Sequence, residues 1–105
     1  MAQPNGTESP RYRVVYTEAV RAALKDLGTR AHELGMEPEF VAALKGLDER
    51  LRTDPVGLGE PLRDLANAGL EERTGNHSFL FVRYGVDRAR LLVYVVYCVA
   101  VGHGF

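Results

Sequence analysis

Residues 78–101 read SFLFVRYGVDRARLLVYVVYCVAV, and this stretch decides the class of fold. It contains two runs rich in Val, Tyr and Phe, residues 78–86 and 91–101, separated by a polar turn from Asp87 to Arg90. β-Branched and aromatic residues favour strands, and a short polar turn joins antiparallel neighbours. The second run is apolar on both faces, which is typical of a strand inside a sheet. We therefore predict a hairpin whose second strand is central.

Two helices are predicted upstream of this hairpin. In two segments, apolar residues recur three and four positions apart, which is the spacing of one helix face. They are Val20, Leu24, Leu27, Ala31 and Leu34 in the first segment and Phe40, Val41, Leu44, Leu47 and Leu51 in the second. Thr17 suits the N-cap of the first helix, Gly35 its end, and Pro38 the first turn of the second helix. The short link predicts an antiparallel pair.

The remaining strands are predicted from weaker patterns. Residues 11–16 alternate polar and apolar before becoming apolar, which favours a first strand. Residues 56–61 contain two glycines and a proline and are interpreted as a loop. A further strand is predicted near residues 68–74, followed by a tight turn at Gly75-Asn76.

The element order is therefore β-α-α-β-β-β. We predict an α+β fold in which the helical hairpin packs on one face of an antiparallel four-stranded sheet and leaves the other face open. Residues 11–105 form one predicted domain. Residues 1–10, which are polar and contain two prolines, form a predicted flexible tail.

Composition restricts the function classes. The chain has 105 residues, 13 Lys+Arg and 14 Asp+Glu, and a formal net charge of -1. One domain of this size buries one core and has no room for a large enclosed cavity. Avid, non-specific nucleic-acid binding needs concentrated positive charge, which this balance does not supply.

The single cysteine and the apolar runs indicate the compartment. Cys98 has no partner for an internal disulfide, and its apolar surroundings predict a buried thiol in a reducing compartment. The longest apolar run, residues 91–101, is shorter than the roughly 20 residues that span a bilayer. Residues 1–10 lack the apolar core of a signal peptide. We expect a cytoplasmic protein without membrane contact.

The first strand of the hairpin supplies candidate binding residues. Alternate residues of a strand point to opposite faces, so Phe79, Phe81 and Arg83 share one face. Two aromatic rings beside a guanidinium can stack bases and hold phosphate, and the same surface suits a protein partner. His77, at the turn before this strand, is predicted to belong to the same partner or RNA surface. The opposite face suits packing under the helices and holds Leu80, Val82, Tyr84 and Val86. Tyr94 and Tyr97 are interpreted as sheet packing residues.

Three more residues are candidates for chemistry. Arg73 can join Arg83 in a cationic patch, or it can pair with a neighbouring glutamate. His77 at a turn and His103 near the C-terminus can act as general acid or base, or can simply be solvated. One Cys and three scattered His make zinc very unlikely, and no paired-carboxylate or phosphate-cradling motif is present. We predict no metal and no cofactor.

Several local motifs resemble a known family. They are RYRVVYTEA at 11–19, LRTDP at 51–55, GEPL at 59–62, VRYGVD at 82–87 and VAVGH at 99–103. In this order they are similar to the opening strand, the "L-x-x-D-P … G-x-P-L" segment, the "Y-x-V-D" strand end and the last strand of the RelE/ParE toxin superfamily. The resemblance spans residues 11–103.

The resemblance implies a toxin of a type II toxin–antitoxin system, of the plasmid-stabilisation type, bound by a cognate antitoxin protein. RelE-like members cut mRNA on the ribosome without a metal, and ParE-like members inhibit DNA gyrase. As a nuclease, the chain would use Arg73, Arg83 and His103. Phe81 and Gly104 stand where the family has arginines. Three interpretations follow: a toxin acting through its antitoxin and an intracellular target, a metal-independent endoribonuclease, or a non-toxic protein-interaction module.

Overall fold

The computed structural model describes residues 10–65 and 69–105, which form three helices and five strands. The predicted tail therefore lies outside the described residues, except for Pro10. In chain order the elements are β1 Arg13–Tyr16, α1 Glu18–Glu33, α2 Glu37–Thr53, α3 Pro55–Leu58, β2 Gly59–Leu65, β3 Leu70–His77, β4 Leu80–Asp87 and β5 Leu92–Ala100.

The two long helices begin and end at the predicted signals. The Thr17 hydroxyl accepts a 3.3 Å hydrogen bond from the Val20 amide, and this caps α1. Gly35 follows α1 with a φ of 71°, a left-handed conformation that glycine adopts without a steric penalty. Pro38 lies in the first turn of α2, where its missing N–H costs nothing. The predicted helical pair is confirmed.

The strand order is β1-β5-β4-β3-β2, so β5 is internal as predicted. Three neighbouring pairs are antiparallel, but β1 runs parallel to β5, with Arg13 opposite Leu92 and Tyr16 opposite Val95. The expectation of a wholly antiparallel sheet is wrong at this pair. From β2 to β5 each strand reverses the direction of the strand before it, and β1 lies beside β5 in the same direction. The end of α2 lies at the start of β1, where the Tyr12 amide donates a 2.8 Å hydrogen bond to the Arg52 carbonyl oxygen.

The fifth strand is β2, and the sequence prediction missed it. Residues 56–61, interpreted as a loop, form α3 and the start of β2 instead. β2 is an edge strand with an irregular register between Pro61 and Arg63. A proline has no N–H for the ladder and is tolerated only at such an edge. The predicted count of four strands is therefore corrected to five.

The β3–β4 turn lies at Ser78 and Phe79, where Ser78 has a φ of 55°. The predicted turn at Gly75-Asn76 is wrong, because both residues lie inside β3. A Cβ at Gly75 would lie 3.2 Å from the Leu58 side chain. This glycine therefore allows α3 to pack closely on β3 and does not form the turn.

The core lies between the two long helices and one side of the sheet. The residues of β4 predicted to face the helices, Leu80, Val82, Tyr84 and Val86, are all at most 1% exposed. They belong to one buried cluster with Ala31, Phe40, Leu47, Leu51, Val93, Val95 and Cys98. Each buried Val or Leu side chain contributes about 1.5–3 kcal/mol. The predicted coverage of one side of the sheet by the helices is confirmed.

Candidate partner-binding face

The side of the sheet opposite the helices is termed the open face. Its residues follow from the strand register, because they alternate with the buried core residues. Those with described side chains include Arg13, Val15, Glu60, Leu70, Glu72, Thr74, Asn76, Phe81, Arg83, Asp87, Leu92, Tyr94, Val96, Tyr97 and Val99. Val15, Val96 and Tyr97 are each more than a third exposed, so the face presents apolar surface to solvent.

A β-bulge in β5 enlarges this apolar surface. Arg83 lies opposite Tyr97 whereas Tyr84 lies opposite Val95, which leaves Val96 as the additional residue. Flanking Val95 and Cys98 are buried towards the helices, and Val96 and Tyr97 are both exposed. A bulge re-aims side chains locally. Here it places two consecutive apolar residues on the same face.

Arg83 and two aromatic rings form a contact cluster on the open face. The Arg83 guanidinium carbon lies 5.7 Å from the Tyr97 ring centre, and the Phe81 ring meets the Tyr97 ring edge-on at 6.3 Å. Arg83 Nε is also 3.8 Å from a Glu72 carboxylate oxygen. A guanidinium stacked on an aromatic ring keeps free edges for a carboxylate or phosphate. The cluster can therefore recognise an anion beside apolar surface.

Gly85 lies at the centre of the open face, between Tyr94 of β5 and Glu72 of β3. It has no side chain, and the position of a Cβ there would be in ordinary contact with Leu70, at 3.7 Å. Gly85 is buried, so the Leu70 side chain covers this position of the open face.

Arg73 is not part of the open face. It lies opposite Tyr84 on the helix side and is only 6% exposed. It donates to a Glu71 carboxylate oxygen at 2.7 Å and to the carbonyl oxygens of Val56 and Gly59 at 2.8 and 2.9 Å. These bonds fix α3 and the start of β2 against β3. Arg73 therefore does not join a cationic patch on the open face.

Phe79 also lies away from the open face, and its predicted placement there is wrong. The residue is 8% exposed at the edge of the core, between the rings of His103 and Phe105 at centroid distances of 5.2 and 5.3 Å. The positive φ of Ser78 turns the chain, so the alternation that places Phe81 on the open face does not extend back to Phe79.

His77 and His103 are brought together on the helix side, so His77 does not join Phe81 and Arg83 on the open face. The two histidines line one cavity of about 440 Å³, termed the helix-side cavity, with Phe79 and residues of α2. His77 fits against α2 because Gly46 has no side chain. The Cβ atom of any other residue at this position would collide with the Nε2 atom of His77. The three predicted catalytic residues thus occupy different places: Arg83 on the open face, Arg73 under α3, and His103 at this cavity.

Sequence reasoning missed the contribution of Val96 and Tyr97. Tyr97 was assigned to sheet packing because β5 is apolar on both faces. The bulge that exposes both residues depends on the register with β4, and we found no local sequence signal for it. Among the described residues, no group of His, Cys, Asp and Glu is placed to hold a metal ion. None of the described helices combines the length and the hydropathy that a bilayer-spanning helix requires.

The chain matches no protein-family model and no curated protein. Its backbone is similar to a chain in the crystal structure of the toxin–antitoxin complex RelBE2 from Mycobacterium tuberculosis, with a TM-score of 0.63 and 21% sequence identity. The similarity covers 86% of this chain and 98% of that chain. The chain has a RelE-type fold. The fold expected from the sequence resemblance is thereby confirmed, and the function has to be argued from the side chains of this RelE-type domain.

Proposed function

We propose that the chain is the toxin component of a toxin–antitoxin pair and acts in the cytoplasm by binding proteins through the open face. The partners are a cognate antitoxin and an intracellular target. The observation that carries this proposal is the uncovered side of the sheet, where Val96 and Tyr97 are exposed and the Arg83 guanidinium lies over the Tyr97 ring. Contiguous exposed apolar surface marks interaction sites. The RelE-type fold, shared with a chain of a toxin–antitoxin complex, supports the same proposal.

The side chains of the open face suit a protein partner. Tyrosine and arginine are enriched among the residues that dominate binding energy at interfaces. Tyr97 is held between Phe81 and Arg83, so little conformational freedom remains to be lost on binding. The net charge of -1 gives no general attraction for nucleic acid. A complementary partner would place a carboxylate near Arg83 and apolar side chains over Val96 and Tyr97.

A second proposal is a metal-independent, ribosome-dependent mRNA endoribonuclease. It is favoured by the stacking of Arg83 on Tyr97, since a ring beside a guanidinium can hold a base and its phosphate. Arg73 is buried and donates three hydrogen bonds within the chain, and His103 lies at the helix-side cavity, so neither residue is on the open face. Catalysis would then depend on Arg83 with neighbouring groups of the open face.

Inducible expression in a bacterial host tests both proposals. We expect growth to stop and to recover when a cognate antitoxin is co-expressed. Tyr97→Ala should weaken both effects, whereas Val41→Ala, which removes an exposed apolar side chain from α2, should leave them unchanged. Growth that continues without any complex forming would contradict the toxin proposal.

Two further readouts identify the target. Cleaved mRNA that disappears in Arg83→Ala would select the endoribonuclease, with a loss of at least about tenfold in rate. Intact mRNA together with DNA damage would instead select an action on DNA gyrase. Arrest with neither signature would indicate a different protein target.

A further inference from the structure

The helix-side cavity differs from the open face in shape and charge. At about 440 Å³ it falls within the size range of ligand sites. Its walls include the apolar side chains of Met36, Ala43 and Phe79, and its polar groups include Glu39 and the two histidines. Among the residues that the structure describes, no Lys or Arg lines it. Any charged ligand therefore faces a carboxylate.

Glu39 is available to a ligand. It lies in the first turn of α2 and is exposed at the rim of the cavity. Within residues 10–65 and 69–105, no side chain forms an ion pair with it. Glu37, two residues earlier, is already hydrogen-bonded to His32 at 2.9 Å. Glu37 and Glu39 thus share a helix turn, but among the described residues only the Glu37 carboxylate has a side-chain partner.

The cavity walls are held in place without a ligand. The ring of Phe79 lies between those of His103 and Phe105. His77 fits into the space that Gly46 leaves on α2. Walls that are fixed in advance reduce the ordering cost of binding. The cavity is therefore suited to take one protruding group without rearrangement.

We propose that the helix-side cavity binds one long basic side chain, arginine or lysine, presented by a partner protein. Such side chains bury an apolar stem while a cationic head reaches polar surroundings. The stem would lie along Met36, Ala43 and Phe79, and the head would reach Glu39. A nucleic acid is disfavoured because its phosphates would meet that carboxylate. This inference is independent of the function proposed for the open face.

The test is an NMR titration of the full chain with N-acetyl-argininamide as the probe. We expect saturable shifts of the Met36 methyl and His77 ring signals, with a millimolar dissociation constant for a probe of about fifteen heavy atoms. Glu39→Gln should weaken binding at least fivefold. Glu37→Gln is the matched control, because it removes a charge from the same turn and should leave the titration unchanged.

Three results would overturn the inference. The first is the absence of saturable shifts in the wild-type chain. The second is equal binding of neutral N-acetyl-norleucinamide, which would make the site purely apolar. The third is tighter binding of uridine monophosphate in Glu39→Gln than of the arginine probe in the wild-type chain, which would indicate RNA. Thermal melts of both glutamine variants should match the parent, since both positions are exposed.

Discussion

Arg83 and Tyr97 lie directly opposite each other on β4 and β5, with the guanidinium carbon 5.7 Å from the ring centre. Tyr97 is 45% exposed, and the Arg83 side chain is similarly exposed at 46%. Cation–π contacts at exposed sites contribute only about 0.5–1 kcal/mol. The pair therefore adds little to folding, and its position on the open face suits recognition of a partner.

The first prediction concerns Arg83→Met, which removes the charge and keeps a long side chain. The free energy of unfolding should change by less than about 1 kcal/mol, because the residue is half exposed. Affinity for the proposed antitoxin should fall at least tenfold, about 1.4 kcal/mol. Urea unfolding and calorimetric titration measure the two quantities. Arg21→Met, on exposed α1 surface, should leave both unchanged; unaltered affinity in Arg83→Met would remove Arg83 from the interface.

The second prediction concerns a buried hydroxyl on the helix side. Tyr84 is fully buried, and its hydroxyl donates a 2.6 Å hydrogen bond to the carbonyl oxygen of Pro55. Tyr84→Phe leaves that carbonyl without its partner and should destabilise the fold by about 1–3 kcal/mol. Tyr97→Phe, at an exposed position, should cost less than about 0.5 kcal/mol. Equal urea midpoints for the two variants would show that the Tyr84 hydrogen bond adds nothing.

The third prediction compares two arginines that share one carboxylate. Glu71 accepts from buried Arg73 at 2.7 Å and from exposed Arg88 at 2.8 Å. Arg73→Met leaves Glu71 and two backbone carbonyls at a buried site short of a donor, and should cost about 3–5 kcal/mol. Arg88→Met should cost less than about 1 kcal/mol, because this ion pair is at the surface. Thermal and urea unfolding distinguish these cases, and similar losses would contradict the burial argument.

The fourth prediction is a pH dependence that arises at Asp48. Burial alone would raise the pKa of this carboxyl, but hydrogen bonds from Arg52 at 2.7 Å and from the Tyr16 hydroxyl at 2.5 Å outweigh it and hold the pKa below its ordinary value of 3.8. A lowered pKa contributes stability above the ordinary value, and this contribution is lost as pH falls through the folded-state pKa. Unfolding free energy should therefore drop below about pH 4.

Asp48→Asn isolates this contribution. Urea unfolding between pH 3 and 7 should show a shallower acid decline in the variant than in the parent. Asp26→Asn, which removes an exposed carboxylate from α1, should keep the slope of the parent. An unchanged slope in Asp48→Asn would place the acid sensitivity elsewhere, for example at Glu71 or Asp87, whose pKa values are also lowered by arginine hydrogen bonds.

Local signals in the sequence were sufficient for the helices. Thr17, Gly35 and Pro38 each act within one turn, so their positions alone indicate where α1 starts and stops and where α2 starts. β2 was missed because Pro61 interrupts its strand pattern in the sequence. A proline can stand in this strand because β2 lies at the edge of the sheet. The turn was misplaced because Gly75 is explained by the approach of α3, which is a tertiary contact.

The open face was predictable only where simple strand alternation holds. Strand alternation placed Phe81 and Arg83 correctly, but it failed at Phe79, beyond the left-handed Ser78. The exposure of Tyr97 depends on a bulge in the register of β5 with β4. The burial of Arg73 depends on α3 packing above it. Neither the β-bulge nor the packing of α3 leaves a pattern within the sequence of one strand.

Hydroxyl-radical footprinting of the chain with and without the proposed antitoxin is the most direct test of the central claim, that a partner covers the side of the sheet away from the helices. We predict that modification of Tyr97 and Phe81 falls several-fold in the complex, while Leu34 and Val41, exposed on the helices, react as in the free chain. Protection of Leu34 and Val41 with Tyr97 and Phe81 unchanged would contradict the account.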